Sequence, residues 1–507
     1  MADWADGYVT NMDYTSGFYP GLSPLAQNFS LLYRGYATPS LADGFSYCEL
    51  GCGHGFSTAL LAAANPQGAF WGIDFNPTHI ASAQQLKRAG DIENVTFLEQ
   101  SFAEALKADL PRFDYIALHG VWSWISRENR QAIVDFIYAK LNPGGVVYIS
   151  YNALPGWAAA APLRQLMVER LRGQGEPTPD AIGAAIAFAQ KLRDANAGYF
   201  AVNAQSGKRL DAIAAMSRNY LAHEYLNRDW SPAYHSDVVA DLSAAKLGFA
   251  AASGLVEQMD PLVLPPQANE LLKEVTDQTA RETIRDYFMN TQFRRDLFVR
   301  GARLLPAAER NDRLLATRVV LMRTPPPLPF KVRVPLGEVT IEANPAQAVF
   351  EILAEGPCML GEILKDRRVE SSGGGNAAFQ TIAILMAVGA ILPALGPEDQ
   401  AKRRESTARF NRAALARLGT QHSEHTLASP LLGTGLTLPP AEQMLLLTAS
   451  GPTPAIEQLM QVMIKRPADP KAGEPPLSPD QRRADLEKTL GEFRRDRLPV
   501  YQRLGLV

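Results

Sequence analysis

Cysteine is almost absent from this chain. Cys48, Cys52 and Cys358 are the only three in 507 residues, too few for a disulfide framework. That usage fits a reducing cytoplasm, which is where the chain is expected to reside. The opening MADWADGYVT has neither a basic stretch nor an apolar core, so no secretory signal is expected. An excess of one charge sign is also missing. A net charge of −3 gives no overall drive toward nucleic acid or an anionic membrane, and neither is expected as a partner. Nor is there a clean membrane-length apolar run. The nearest approach is the charge-free stretch 371–397, which Gly389 and Pro393 interrupt and in which Gln380 and Thr381 are embedded. It reads as a buried helix ending near Gly389, followed by a short strand, AILPAL. No internal repeat is convincing.

What is present is the profile of a folded protein, with 46% apolar and 20% charged residues, long enough for two to four domains. Residues 47 to 151 alternate short apolar runs with amphipathic ones, the signature of a parallel α/β sheet. The expected strands are YCELG, AFWGIDF, VTFLEQ, FDYIALH and VVYISY, with helices over about Ser57–Ala64, Thr78–Ala89 and Arg127–Leu141. The run GQGEPTP breaks the pattern between Arg172 and Pro179. Residues 180 to about 320 then show helical spacing and few strand-like runs. The segment TPPPLPF (324–330) reads as a stiff linker. Beyond it, KVRVPLGEVTIEA suggests a hairpin, followed by short helices at Pro345–Glu355, Met359–Lys365 and Ala377–Val388 and then a strand. That order suggests a winged-helix-like module, a scaffold rather than a DNA reader, because it lacks a basic recognition helix. PADPKAGEPPLSPDQ (467–481) reads as a loop leading into a charged helix. The expected division is 1–172, 173–323 and 330–507.

The strongest chemical signal is 49-ELGCGHG-55, where a strand feeds a loop whose glycines permit tight turning and close ligand approach. The spacing is G-x-G-x-G rather than the dinucleotide G-x-G-x-x-G. Glu49 stands two residues before the first glycine, where a carboxylate would repel a pyrophosphate and suit a cationic group. That favours S-adenosylmethionine, whose amino group and sulfonium are both positive. Gly51, Cys52, Gly53 and Gly55 are thus expected to cradle the cofactor. Asp74, ending the second strand, can accept both ribose hydroxyls, with Phe75 against the adenine. Gln100-Ser101-Phe102 offers polar partners and a ring to the adenine edge, and 141-LNPGG-145 turns the chain before the fifth strand.

In this order and at these separations the motifs resemble the class I S-adenosylmethionine-dependent methyltransferases. FDYIALHGVWSWI (113–125) with YISYNALPGW (148–157) is similar to bacterial methyltransferases carrying a methyltransferase regulatory domain, including the rickettsial outer-membrane-protein lysine methyltransferases. YLAHEYLNRDWSPAYHSDV (220–238) looks like the start of that regulatory region. The resemblance implies a Rossmann-like sheet, then a mainly helical regulatory region and the C-terminal α+β part. It also implies an N-terminal lid over 14-YTSGFYPGLSP-24, carrying Tyr14, Phe18 and Tyr19, with Tyr19 as its contact to the cofactor.

Ligands of an open α/β sheet lie beyond the strand C-termini. The groups there after strands four and five are His119, Trp122, Trp124, Tyr151, Asn152 and Trp157. Asn152 can orient an amine, and His119 or Tyr151 can pass its proton to water. His119 can also serve the cofactor's methionine part through its backbone alone. Trp122 and Trp124 either contact substrate or anchor the core, Trp157 is expected to contact substrate where it closes the loop, and Tyr151 either packs or acts. His223-Glu224-Tyr225 either reaches the mouth or forms a buried network. His422 and His425 around Glu424 read as a solvated turn, with no metal expected. Three activities stay open: methylation of lysines on a bacterial surface protein, methylation of a small molecule, or cofactor sensing without catalysis. The acceptor is thus a polypeptide or a small molecule, and the oligomeric state is not given.

Overall fold

The computed structural model describes residues 7–9, 17–417, 424–449 and 478–507. Five strands are laid down first: β1 (Ser46–Leu50), β2 (Ala69–Asp74), β3 (Val95–Glu99), β4 (Phe113–Leu118) and β5 (Leu141–Asn152). They pair in parallel in the order β3-β2-β1-β4-β5, with helices Phe56–Ala64, Pro77–Ala89 and Arg127–Lys140 between them. β5 starts earlier than expected, because Leu141 pairs with Phe113, and the turn residues Asn142–Gly145 form an irregularity before pairing resumes at Tyr115↔Val146. Continuous burial of YCEL and VVYISY is what a sheet covered on both faces demands.

The regulatory region departs from the helical expectation. It supplies β6 (Leu247–Ala252) and β7 (Phe293–Arg300), which complete a seven-stranded sheet in the order β3-β2-β1-β4-β5-β7-β6. β7 runs antiparallel to both neighbours, with Tyr151 opposite Arg294 and Asn152 opposite Phe293. A boundary at 172 therefore separates strands of one sheet. β7 was hidden because FRRDLFVR carries charges at strand-interior positions. Those charges are satisfied internally. Arg294 donates to Asp286 at 2.9 and 3.0 Å, to Asp296 at 2.9 Å and to Glu282 at 3.2 Å. Asp296 also accepts from the Tyr151 hydroxyl at 2.7 Å and from His235 Nδ1 at 3.1 Å. Burial alone would raise the Asp296 carboxyl, but Arg294 and His235 hold it well below the usual carboxylate range.

In the C-terminal third, β8 (Arg318–Leu321) is followed by the expected hairpin of β9 (Phe330–Val334) and β10 (Gly337–Ile341). Four helices follow rather than three, at Ala343–Glu355, Leu360–Leu364, Arg367–Ser371 and Gly374–Ala387. β8 pairs with β11 (Cys358–Met359) and β12 (Ile391–Ala394), while the hairpin forms a separate two-stranded sheet that precedes these helices. The charge-free stretch resolves into the helix Gly374–Ala387, a left-handed Gly389 at φ +71° and β12. Among the described residues no helix is long and apolar enough to cross a membrane. The loop read at 467–481 lies mostly outside the described residues. The charged helix after it spans Pro479–Asp496.

This third also covers the cofactor half. All nine residues of the helix Phe56–Ala64 are buried, as a helix apolar on every side must be. One flank meets the sheet. The other meets the helix Pro397–Ala416 and the pair β13 (Thr426–Ser429) and β14 (Thr434–Thr437). Phe56 packs against Phe410, Ser406 Oγ donates to the Ala63 carbonyl at 2.6 Å, and Asn65 Nδ2 donates to the Gly433 carbonyl at 2.9 Å.

Arg294→Ala takes the guanidinium from buried Asp286 and Asp296 and leaves Glu282 with Arg285 alone. The expected cost is about 3–5 kcal/mol, read as a lower midpoint in chemical denaturation. A midpoint unchanged from wild type would show that the network does not hold the sheet together.

Candidate functional site

The order of strands reverses between β1 and β4, and the crevice beyond their C-terminal ends is where an α/β sheet binds ligands. The loop leaving β1 needs its glycines. Gly51 and Gly55 both have left-handed φ, +69° and +70°. A Cβ on Gly51 would come within 2.6 Å of Val121 Cγ2, and one on Gly55 within 2.5 Å of Ala83 Cβ. Gly53, by contrast, borders open space in the crevice. The loop is tied to β2 by its backbone: Gly51 and Cys52 N–H donate to the Ile73 carbonyl at 2.8 and 3.1 Å. Gly53 N–H donates to Asp74 Oδ2 at 2.9 Å.

A cleft with about 1030 Å³ of empty space opens there, bordered by Gly51, Gly53, Asp74, Phe75, Ser101 and Phe102. The Asp74 carboxylate accepts from Gly53 N on Oδ2, and from Asn76 N at 2.9 Å and His79 Nδ1 at 3.1 Å on Oδ1. Of roughly four lone-pair positions on a carboxylate, one on Oδ2 is left, which matches one ribose hydroxyl rather than the two expected. Ser101 borders the cleft, but its hydroxyl is committed to capping the next helix, exchanging bonds with Glu104 at 2.8 and 3.3 Å. Gln100 is the better polar partner. Its Oε1 is buried at the cleft wall with no donor among the described residues, an acceptor suited to an exocyclic amine. Tyr8 also borders the cleft, its ring edge-on to Phe75 at 6.0 Å. MADWADGYVT gives no sign of this role, because nothing local marks an aromatic that reaches its site from so far along the chain.

A second space, about 470 Å³, continues past the loop between Tyr19, Glu49, Cys52, Gly53 and His119. Glu49 accepts from Thr58 Oγ1 at 2.5 Å. Burial pushes its carboxyl up to about 7, against the Thr58 hydrogen bond and with help from Asp74. A buried carboxyl so raised gains most from a cationic partner. The Tyr19 ring stacks on the His119 imidazole at 3.6 Å between centroids, and His119 Nδ1 shares a hydrogen bond of 2.9 Å with the Tyr148 hydroxyl. Burial, with Arg295 adding to it, lowers His119 to about 3. It is neutral at any physiological pH and too weak a base to take a proton from an amine, which removes the relay role considered for it. The Tyr14 position of the same lid lies outside the described residues, as does His422 of QHSEH.

On the acceptor side several expectations are corrected. Trp122 is fully buried in the core between the sheet and its covering helices, out of reach of any substrate. Trp157 is buried against Tyr225 and Trp230 in the regulatory region. Tyr151 is buried with its hydroxyl held by Asp296, so it packs and cannot relay a proton outward. Trp124 lies on the wall of the Phe75–Phe102 cleft, which His119 also borders. Asn152 is buried too and borders neither cleft. It ends β5, and its Nδ2 donates to Glu224 Oε1 at 3.4 Å. Opposite it on β7, half-exposed Phe293 turns its ring edge toward His119 at 5.9 Å. Tyr19, His119, Phe293, Asn152 and Glu224 thus gather where β5 emerges.

Two family models match the chain. One described as "Methyltransferase domain" covers residues 48–147, and one described as "Predicted methyltransferase regulatory domain" covers 217–300. An uncharacterized protein of Synechocystis sp. is 38% identical over 504 residues, 99% of each chain. An uncharacterized protein of Rickettsia prowazekii is 27% identical over 250 residues, 49% of this chain and 45% of the other. The solved structure of PKMT2 from Rickettsia typhi in complex with AdoHcy has a TM-score of 0.71 at 19% identity, covering 95% of this chain and 98% of that one. At that identity the likeness is one of fold.

Gln100→Leu is expected to weaken S-adenosylmethionine binding about 10-fold, the worth of one buried hydrogen bond, in calorimetric titration. Asp74→Ala should cost more, about 10- to 100-fold, since it loses a ligand contact and the anchor of Gly53 together. Wild-type affinity in either variant would remove that residue from the site.

Proposed function

The chain belongs to the S-adenosylmethionine-dependent methyltransferases that carry a methyltransferase regulatory domain, and we propose that its acceptor is the lysine side chain of a bacterial envelope or surface protein, modified in the cytoplasm. S-adenosylmethionine supplies a methyl carbon made electrophilic by a positively charged sulfur. Gly51, Cys52, Gly53 and Gly55 shape its seat, Asp74 and Gln100 offer acceptors to the ribose and adenine, Phe75 and Phe102 offer rings, and Glu49 offers a carboxylate to its cationic end. His119, held neutral, sets no charge against the sulfonium.

Lysine must lose a proton before it can attack, at a cost of roughly 4–5 kcal/mol at neutral pH from its ordinary pKa. The observation that carries the lysine reading is the composition of the acceptor mouth. Three rings, those of Tyr19, His119 and Phe293, stand beside a carboxylate, Glu224, that is bonded to the strand-end amide of Asn152. Aromatic faces stabilise a near-cationic amine, and an acid attracts it.

The test is to incubate the protein with methyl-labelled S-adenosylmethionine and a bacterial envelope extract. Label is expected in protein, and in methylated lysine after acid hydrolysis. Label confined to the small-molecule fraction would replace this reading with that of a small-molecule methyltransferase.

A further inference from the structure

Glu224 lies in the regulatory region, on the helix Arg218–Tyr225, far in sequence from the glycine loop. That helix is held firmly. Ser217 caps its start by accepting from Tyr220 N at 3.2 Å, and its last carbonyl, from Tyr225, accepts from buried Arg164 at 2.9 Å. Asn227 Nδ2 donates to the His223 carbonyl at 2.8 Å, while Asn227 Oδ1 accepts from Val9 N at 3.0 Å. His223 and Tyr225 on either side are buried, whereas Glu224 stays partly open and turns to Asn152.

We propose that Glu224 receives the ammonium of the incoming lysine and takes its proton, so that the regulatory region supplies the base of the active site. This rests on the lysine reading above. The step balances simply: one proton passes from the ammonium nitrogen to the carboxylate, leaving a neutral amine and a carboxylic acid. The nitrogen lone pair then forms the bond to the methyl carbon as the carbon–sulfur bond breaks, with its electron pair staying on sulfur. The acid returns its proton to water through the partly open side of Glu224.

The surroundings fit a base better than a structural ion pair. Glu224 forms no ion pair among the described residues. Arg209, the nearest cation acting on it, is committed to the Tyr225 hydroxyl at 2.8 Å and lies over the Trp157 ring at 4.9 Å. The other titratable groups facing it are Tyr19 from the N-terminal arm and Tyr220 and Tyr225 from its own helix. Burial raises Glu224 to about 7, against the Asn152 hydrogen bond and Arg209. A base is most effective when its pKa lies near the working pH. A raised carboxyl also loses its charge as pH falls through that value, so the ability to accept a proton is present above about 7 and lost below it.

The experiment compares wild type, Glu224→Gln and Glu224→Asp, using methyl-labelled S-adenosylmethionine and envelope protein freed of small molecules. Methyllysine formation is followed from pH 6 to 9, and cofactor affinity is measured separately by calorimetry. The wild-type rate is expected to fall below about pH 7. Glu224→Gln should keep its cofactor affinity, lose about 10²–10³-fold in rate at neutral pH and rise with pH without the limb near 7. Glu224→Asp should recover part of the rate. A wild-type profile flat from pH 6 to 8, or a Gln variant with the wild-type rate and profile, overturns the role of Glu224 while leaving the lysine reading intact. No methyllysine from wild type at any pH overturns both.

Discussion

A guanidinium buried among three carboxylates holds this molecule's two halves in one sheet. Arg294 stands on β7 directly opposite Tyr151 of β5, and its partners Asp286, Asp296 and Glu282 come from the regulatory region's own helix and strand. Taking an arginine out of water is expensive unless every donor finds an acceptor in good geometry. Here it does, and Asp296 reaches across to Tyr151 as well. The pairing register follows from this. A slip of one residue would turn Arg294 to the opposite face of the sheet and away from its acids. With the register fixed, Asn152 ends its strand beside Phe293, and the acceptor mouth acquires its shape.

Three buried carboxyls show how differently the same desolvation is used. Asp296 lies within reach of a cation and two further donors, so it stays ionised and serves as structure. Glu49 and Glu224 have no cation at contact distance among the described residues and are both lifted to about 7. Each is stabilised by one neutral donor, a threonine hydroxyl for Glu49 and an asparagine amide for Glu224. Groups whose environments push them apart in this way take different roles. The two raised acids flank the glycine loop and the end of β5, which is where a cationic cofactor and a cationic acceptor would each need a counter-charge.

The parts of this arrangement that were legible in the sequence are the local ones. ELGCGHG, the strand ends at Asp74 and Gln100, and the apolar run of β5 each state their structure within a few residues, through backbone freedom and burial on both faces. The illegible parts depend on distant partners. FRRDLFVR does not read as a buried strand, because the acids that neutralise it lie on another helix and at Asp296 itself. Trp122, Trp157 and Tyr151 cluster with functional neighbours in the sequence, yet Trp122 and Tyr151 enter one core and Trp157 another. Alternation along a chain says that a ring is near the mouth; only packing says which way it points.

The same logic explains why the C-terminal third accompanies the chain over its whole length. The helix FSTALLAAA follows directly from the glycine loop and is apolar on every side. A helix of that kind cannot face water on its outer flank without exposing a continuous apolar strip. The helix Pro397–Ala416 and the β13–β14 pair cover that flank, and Gly435 packs closely against Leu60 and Phe18, the latter next to Tyr19. The C-terminal third thus supports the glycine loop from behind and the N-terminal lid from the side. The regulatory region closes the other end of the sheet and brings Glu224 to it. The lining of both clefts comes from residues 8–129, and the two later parts of the chain support it from outside.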